Sequence, residues 1–109
     1  MLFQEMWQYI LANIQMGQSI DNWTKDKGFI GDQFTIVNFG LNYIEIDTPK
    51  AQNIQRVSRQ DFHDIYNVWD QYLNGTFKRH QIRDLITRFS KYIISILHWV
   101  EIKNGGKLP

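Results

Sequence analysis

No cysteine occurs in the 109 residues. That absence excludes disulfides, thiolate metal sites and cysteine nucleophiles, and it favours a reducing, intracellular setting. No uninterrupted apolar run reaches the roughly 18 residues that a membrane span requires, and no basic segment followed by an apolar signal region opens the chain. A soluble cytoplasmic protein is the expectation. Proline is almost missing as well, at two residues, and no Pro/Gly/Ser-rich linker divides the chain. The sequence therefore reads as one domain over 1–109, with a polar tail from 103 to 109 that includes Asn104-Gly105-Gly106.

What the chain does have is aromatic mass, seven Phe, five Tyr and four Trp, enough for a core that folds without staples. Charge is nearly balanced overall but divided along the chain. Residues 1–49 hold two lysines against six acids, a net −4, and residues 50–109 hold ten bases against five acids, a net +5. An asymmetry of this kind points toward an anionic partner when the fold gathers the charge on one side.

Apolar periodicity gives the elements. Phe3, Met6, Trp7, Ile10 and Ile14 make one helical stripe over about residues 2–16, with Gly17 as its stop. The polar stretch Gln18 to Gln33 reads as mostly loop, and Gly28-Phe29-Ile30-Gly31-Asp32 within it as a turn without the lysine of a phosphate loop. Period-two alternation follows in Phe34 to Val37 and Tyr43 to Asp47, a hairpin whose loop is built on Gly40, closed by Thr48-Pro49-Lys50. Residues around Ile54 and Arg56 can add a third strand.

Ser58 then caps a helix, with Asp61 three residues on and Val57 and Phe62 placed as a hydrophobic staple. Its stripe of Phe62, Ile65, Tyr66, Trp69 and Leu73 ends at Asn74-Gly75. A last period, Ile82, Leu85, Ile86, Phe89, Ile93, Ile96, Leu97 and Val100, stays in phase and predicts one helix of about 25 residues over 78–102. A kink or break at Thr87 to Ser90, with Ser90 as a cap, is the competing reading. Strands and helices in blocks predict an α+β domain: an N-terminal helix, a two- or three-stranded antiparallel meander and two C-terminal helices.

Candidate chemistry is sparse. His63, His80 and His98 lack partners at metal-ligand spacing, and Asp61 is accounted for by the cap and not by a carboxylate pair with Asp64. No cofactor, metal site or catalytic residue is expected, and the chain reads as non-enzymatic. The basic residues are different. On a single helix, about 100° per residue places Lys78, Arg79, Arg83, Arg88 and Lys91, with His80, on the arc opposite the apolar stripe, interrupted by Asp84 alone. Such a strip suits nucleic-acid phosphates. Ile94 falls inside that polar arc, and Tyr92 and Trp99 widen the apolar side, which suggests a homodimer or another protein partner with these three at the interface.

The combination Val57-Ser58-Arg59-x-Asp61-Phe62, Trp69-x-x-Tyr72 and Ser90-x-Tyr92-Ile93-x-x-Ile96-Leu97 resembles a small module of uncharacterised bacterial proteins from mobile gene cassettes (integron cassettes), also found as an accessory part of restriction and defence proteins. The likeness spans residues 17–102, and its motifs are mainly caps and core. The resemblance implies a fold and an accessory, DNA-associated role in bacteria, with no catalytic residue to carry over.

Overall fold

The buried face of an antiparallel sheet organises the chain, as seen in a computed structural model that describes residues 2–49 and 52–108. Among the described residues there are five helices and one sheet: α1 Phe3–Asn13, β1 Ser19–Thr24, β2 Gly28–Phe39, β3 Tyr43–Asp47, β4 Gln55–Ser58, α2 Arg59–Asn67, α3 Trp69–Leu73, α4 Arg79–Leu85 and α5 Ser90–Lys103. The strands form a simple meander in the order β1-β2-β3-β4. The fold is α+β, as the sequence leads one to expect, but with four strands in place of two or three.

Register explains the sheet's two faces. Ile20 pairs with Phe34, Ile36 with Ile46 and Ile44 with Val57, and all six are buried. The alternate positions carry polar pairs: Gln33 donates to Asp21 at 2.7 Å, and Arg56 meets Glu45 at 3.3 Å while its guanidinium lies 4.0 Å from the Tyr43 ring. One face therefore takes the helices and the other is polar, the usual consequence of period-two alternation in an antiparallel sheet.

The strand that the sequence hides is β1, together with the first half of β2. Residues 18–33, expected as loop, pair as a hairpin from Ser19↔Thr35 to Thr24↔Gly28, and the glycine-containing segment Gly28–Asp32 is strand, not turn. The inward positions of β1 are Ile20, Asn22 and Thr24, so two of the three buried side chains are polar while Trp23 stands between them. A hydrophobic alternation is absent even though a structural one exists. Helices complete the hydrogen bonding of this edge strand: Ser95 Oγ accepts from the Trp23 amide at 2.9 Å, and Tyr72 Oη accepts from the Lys25 amide at 2.8 Å.

Helix α1 ends at Asn13, short of Gly17, which instead donates its N–H to Ile36 in the sheet at 2.7 Å. Its indole Trp7 donates to the Leu41 carbonyl at 2.8 Å and packs on Phe62, docking α1 on α2 and on the β2–β3 loop. In that loop Gly40 lies so close to the Tyr43 ring that a Cβ would approach it to 2.6 Å. The loop's successor Asp47-Thr48-Pro49 ends β3; Lys50 lies outside the described residues. Ser58 caps α2 as expected, its Oγ accepting from the Asp61 amide at 3.1 Å. The expected helix from 58 to 74 is divided at Val68 into α2 and α3, yet Phe62, Ile65, Trp69 and Tyr72 keep one buried side, and the chain turns at Gly75 with φ +84°.

The long helix over 78–102 is two helices. Helix α4 stops at Leu85 and α5 starts at Ser90, and Thr87 Oγ1 holds the connector by accepting from the Phe89 amide at 3.1 Å. A hydroxyl that bonds nearby backbone offers the chain an alternative to continuing the helix. Ser90 is the first helical residue and is buried, with no side-chain cap bond to the helix. Helix α5 is the central one, packed against β1, α2 and α4. Beyond it Gly106 donates to the Glu101 carbonyl and Leu108 packs against the core, so the tail folds back along α5 as far as it is described; Pro109 lies outside the described residues.

Candidate functional site

Breaking the last helix changes how the basic residues are presented. Lys78 precedes α4 and is exposed, Arg79 and Arg83 lie one turn apart on α4, exposed Arg88 sits in the connector, and Lys91 is in the first turn of α5. Lys78, Arg83 and Arg88 are exposed and Arg79 and Lys91 half-buried, so the five follow one another along the chain but do not make one face of one helix. Among the described residues only Arg83 of the five makes an ion pair, with Asp84 at 3.1 Å, and those side chains are 53% and 60% exposed. A pair that open contributes little. The Arg88 guanidinium lies 4.9 Å from the Phe89 ring and the Lys91 ammonium 5.3 Å from the Tyr92 ring, so both charged groups rest on the aromatic side chains that follow them.

The three residues expected at an interface do not share a surface role. Ile94 has 0% exposure and belongs to the core, contrary to its expected place on a polar arc. The reason is β1: one turn along α5 from Ile94, His98 stacks on Trp23, so the side of α5 that looked polar is covered by the strand mistaken for a loop. Tyr92 is half-buried and meets Phe34 edge-on at 5.3 Å, and Trp99 is half-buried beneath the Lys103 ammonium at 5.4 Å.

The histidines are placed by aromatic packing. His63 stacks on Phe3 with centroids 4.4 Å apart, and His98 lies parallel to Trp23 at 3.7 Å with Phe29 edge-on at 5.5 Å. Burial lowers the His98 pKa below its ordinary 6.5. The folded chain then holds fewer protons than the unfolded one as pH falls below the ordinary value, so the stability tied to neutral His98 is full above that value and is lost on acidification toward the lowered one. Melting curves at pH 7.5 and 5 should show a larger acid-induced drop for the wild type than for His98→Phe, which keeps a ring on Trp23 but cannot titrate. Equal drops in the two proteins would remove His98 from the account.

A cleft of about 600 Å³, in the size range of small-molecule sites, opens between the α2–α3 pair and the end of α5. Tyr66, Asn67, Trp69, Asp70 and Leu73 form one wall, Glu101 the other, and Gly106, Lys107 and Leu108 the rim. Burial raises the Glu101 carboxyl above the usual glutamate range; the nearby Trp69 indole offsets part of this and Asp70 adds to it. The Tyr66 phenol is also raised, first by burial, then by Asp70 and Glu5. Trp69 is 3% exposed, and its indole N–H stands against the Glu101 carboxyl as that group's hydrogen-bonding neighbour, with geometry short of a well-formed bond.

Sequence reasoning passed over this cleft because its acids belong to different helices. One signal was present: Glu101 is an acid in the last turn of an otherwise apolar helix, where the helix dipole disfavours a carboxylate. Asp64, the other acid weighed from sequence, accepts from Gln60 at 2.9 Å on α2. Among the described residues no group of His, Asp and Glu is arranged to hold a metal ion, and no helix is long and apolar enough to cross a membrane. The chain matches no family model, and no curated protein or solved structure matches it at a significant level.

Proposed function

We propose that the protein is a non-enzymatic binding module that contacts nucleic-acid phosphates through Lys78, Arg79, Arg83, Arg88 and Lys91. The observation that carries this reading is that, among the described residues, these five cations make a single ion pair, an exposed one, and none is paired with a buried acid. Cations that no acid neutralises can replace counterions along a phosphate backbone. Phosphate contact of this kind is sequence-independent and suits an accessory role beside a partner that supplies chemistry. The homodimer suggested by sequence is not part of this proposal, because its anchor, Ile94, is buried in the protein's own core.

Salt dependence tests it directly. If all five cations engage a duplex, the log–log slope of affinity against salt should be about −4.5, an affinity loss of roughly 500-fold between 50 and 200 mM. Fluorescence anisotropy of a labelled duplex reads this. No binding at 50 mM, or an affinity indifferent to salt, ends the proposal.

A further inference from the structure

We propose that the closed end of the β1–β2 hairpin is a stacking platform for an unpaired base, so that the chain binds single-stranded nucleic acid with a base on Phe29 and the adjoining phosphates on Lys25 and Lys27. This rests on the phosphate-contact reading and adds to it the form of nucleic acid preferred.

The first observation is exposure. Of the seven Phe, five Tyr and four Trp, Phe29 alone is exposed, at 59%, while every other ring is buried or half-buried. A single exposed apolar side chain is ordinary on a protein surface, but this one is braced. Trp23 and Phe29 are register partners on β1 and β2, which puts both rings on one face of the hairpin. His98 from α5 lies flat on Trp23 with centroids 3.7 Å apart and meets Phe29 edge-on at 5.5 Å. An aromatic pair therefore holds Phe29 while more than half of it stays open to solvent. Every base has a π face, and stacking on a ring already held in place costs little ordering entropy.

The second observation is charge. Lys25, Asp26 and Lys27 form the turn between the two strands and all are exposed, and among the described residues the ion pairs, Arg56–Glu45 and Arg83–Asp84, include neither lysine. The turn is net positive, and its lysines stand two residues from Trp23 and from Phe29. Cations beside an open ring match the alternation of phosphate and base along a single strand. The third observation is position. Lys25 donates its N–H to Tyr72 Oη at 2.8 Å, which fastens the turn to the end of α3, and the chain leaves α3 through Gly75 toward Lys78 and Arg79. Burial raises the Tyr72 pKa, the bond from Lys25 offsets part of this, and Asp26 and Arg79 act on the hydroxyl with opposite signs, so the turn and the start of α4 flank one group. The turn thus continues the basic stretch toward Phe29. A flexible single strand follows that bend and offers a base to the ring, whereas a duplex keeps its bases stacked inside and engages α4 and its connector alone.

The test uses the full chain and fluorescence anisotropy at about 50 mM salt, with labelled probes of about 12 nucleotides: a thymidylate strand, an abasic strand carrying the same phosphates, and a duplex. The thymidylate strand should bind at least about fivefold tighter than the abasic one, since a base stacked on an aromatic ring contributes that much or more. Phe29→Ala should erase this ratio while leaving abasic-strand and duplex affinities unchanged, and Phe29→Tyr should keep it. Lys25→Gln combined with Lys27→Gln should make the salt slope for single strands shallower by about 1.4 and leave the duplex slope as it was. Equal affinity for the thymidylate and abasic strands, or an unchanged single-strand slope in the lysine variant, overturns the platform; a salt-sensitive duplex complex in the same experiment leaves the phosphate reading standing. Duplex affinity indifferent to salt, beside an intact ratio that depends on Phe29, does the reverse, and no binding of any probe ends both. A Phe29→Ala chain whose mass in solution differs from that of the wild type shows a second copy of the chain covering the ring, which also overturns the platform. Melting temperatures of these variants should stay within a few degrees of wild type, as the substituted residues are exposed, so any loss is read in folded protein.

Discussion

Ile94→Asp should abolish folding of the chain at ordinary temperatures. Ile94 is fully buried on α5, the helix packed against β1, α2 and α4. The substitution removes the transfer free energy of a buried isoleucine, about 2–3 kcal/mol, and leaves a carboxyl where no partner waits. That second cost adds several kcal/mol even if the group stays protonated. Against a total stability of about 5–15 kcal/mol for a domain of this kind, the sum leaves little or nothing. Ile94→Val, which deletes one methyl group in place, should cost only about 0.5–1.5 kcal/mol. Circular dichroism melts of the two variants separate the outcomes. An Ile94→Asp chain that melts like the wild type but changes its mass in solution would show instead that the residue lies on a surface between copies.

That reversal, from interface residue to core residue, shows where a sequence of this kind conceals its fold. Strand β3 is legible residue for residue because Ile44 and Ile46 alternate with Tyr43, Glu45 and Asp47. The Ser58 cap is legible because capping depends on a few adjacent residues. Strand β1 is not, since its inward Asn22 and Thr24 look like solvent-facing residues. Once β1 is taken for a loop, α5 loses the neighbour that covers Ile94, and a single missed strand turns a core position into an apparent surface anomaly.

The break between α4 and α5 was only half legible. Thr87 and Ser90 signal it, but Ile82, Ile93 and Val100 remain in helical phase across the connector and mask it. The basic stretch was visible as composition, while its division between two helices and a connector was not. The cleft was least legible of all. Asp70 and Glu101 line one cleft only because the tertiary fold brings α3 and the last turn of α5 to it, a fact with no local pattern.

Charge reversal at Arg79 and Arg83 should severely weaken nucleic-acid binding while leaving the fold intact. The two residues lie one turn apart on α4, neither is buried, and Arg83 has only an exposed pair with Asp84. Glutamate at position 79 falls in the first turn of α4, where the positive end of the helix dipole favours an acid. Glutamate at 83 loses a favourable basic residue in the last turn and stands beside Asp84, an opposing effect of similar size. The melting temperature should therefore stay within a few degrees of wild type, as surface substitutions usually change stability by about 0.5 kcal/mol or less. Binding should respond far more strongly. Two contacts are lost and two repulsions are added, so affinity for a duplex at 50 mM salt should fall by about a hundredfold or more, and the salt slope left by three cations should be about −2.7. A variant that folds, melts normally and binds duplex with the wild-type slope would show that the stretch from Lys78 to Lys91 is solvated surface and that phosphate contact lies elsewhere or nowhere on this chain.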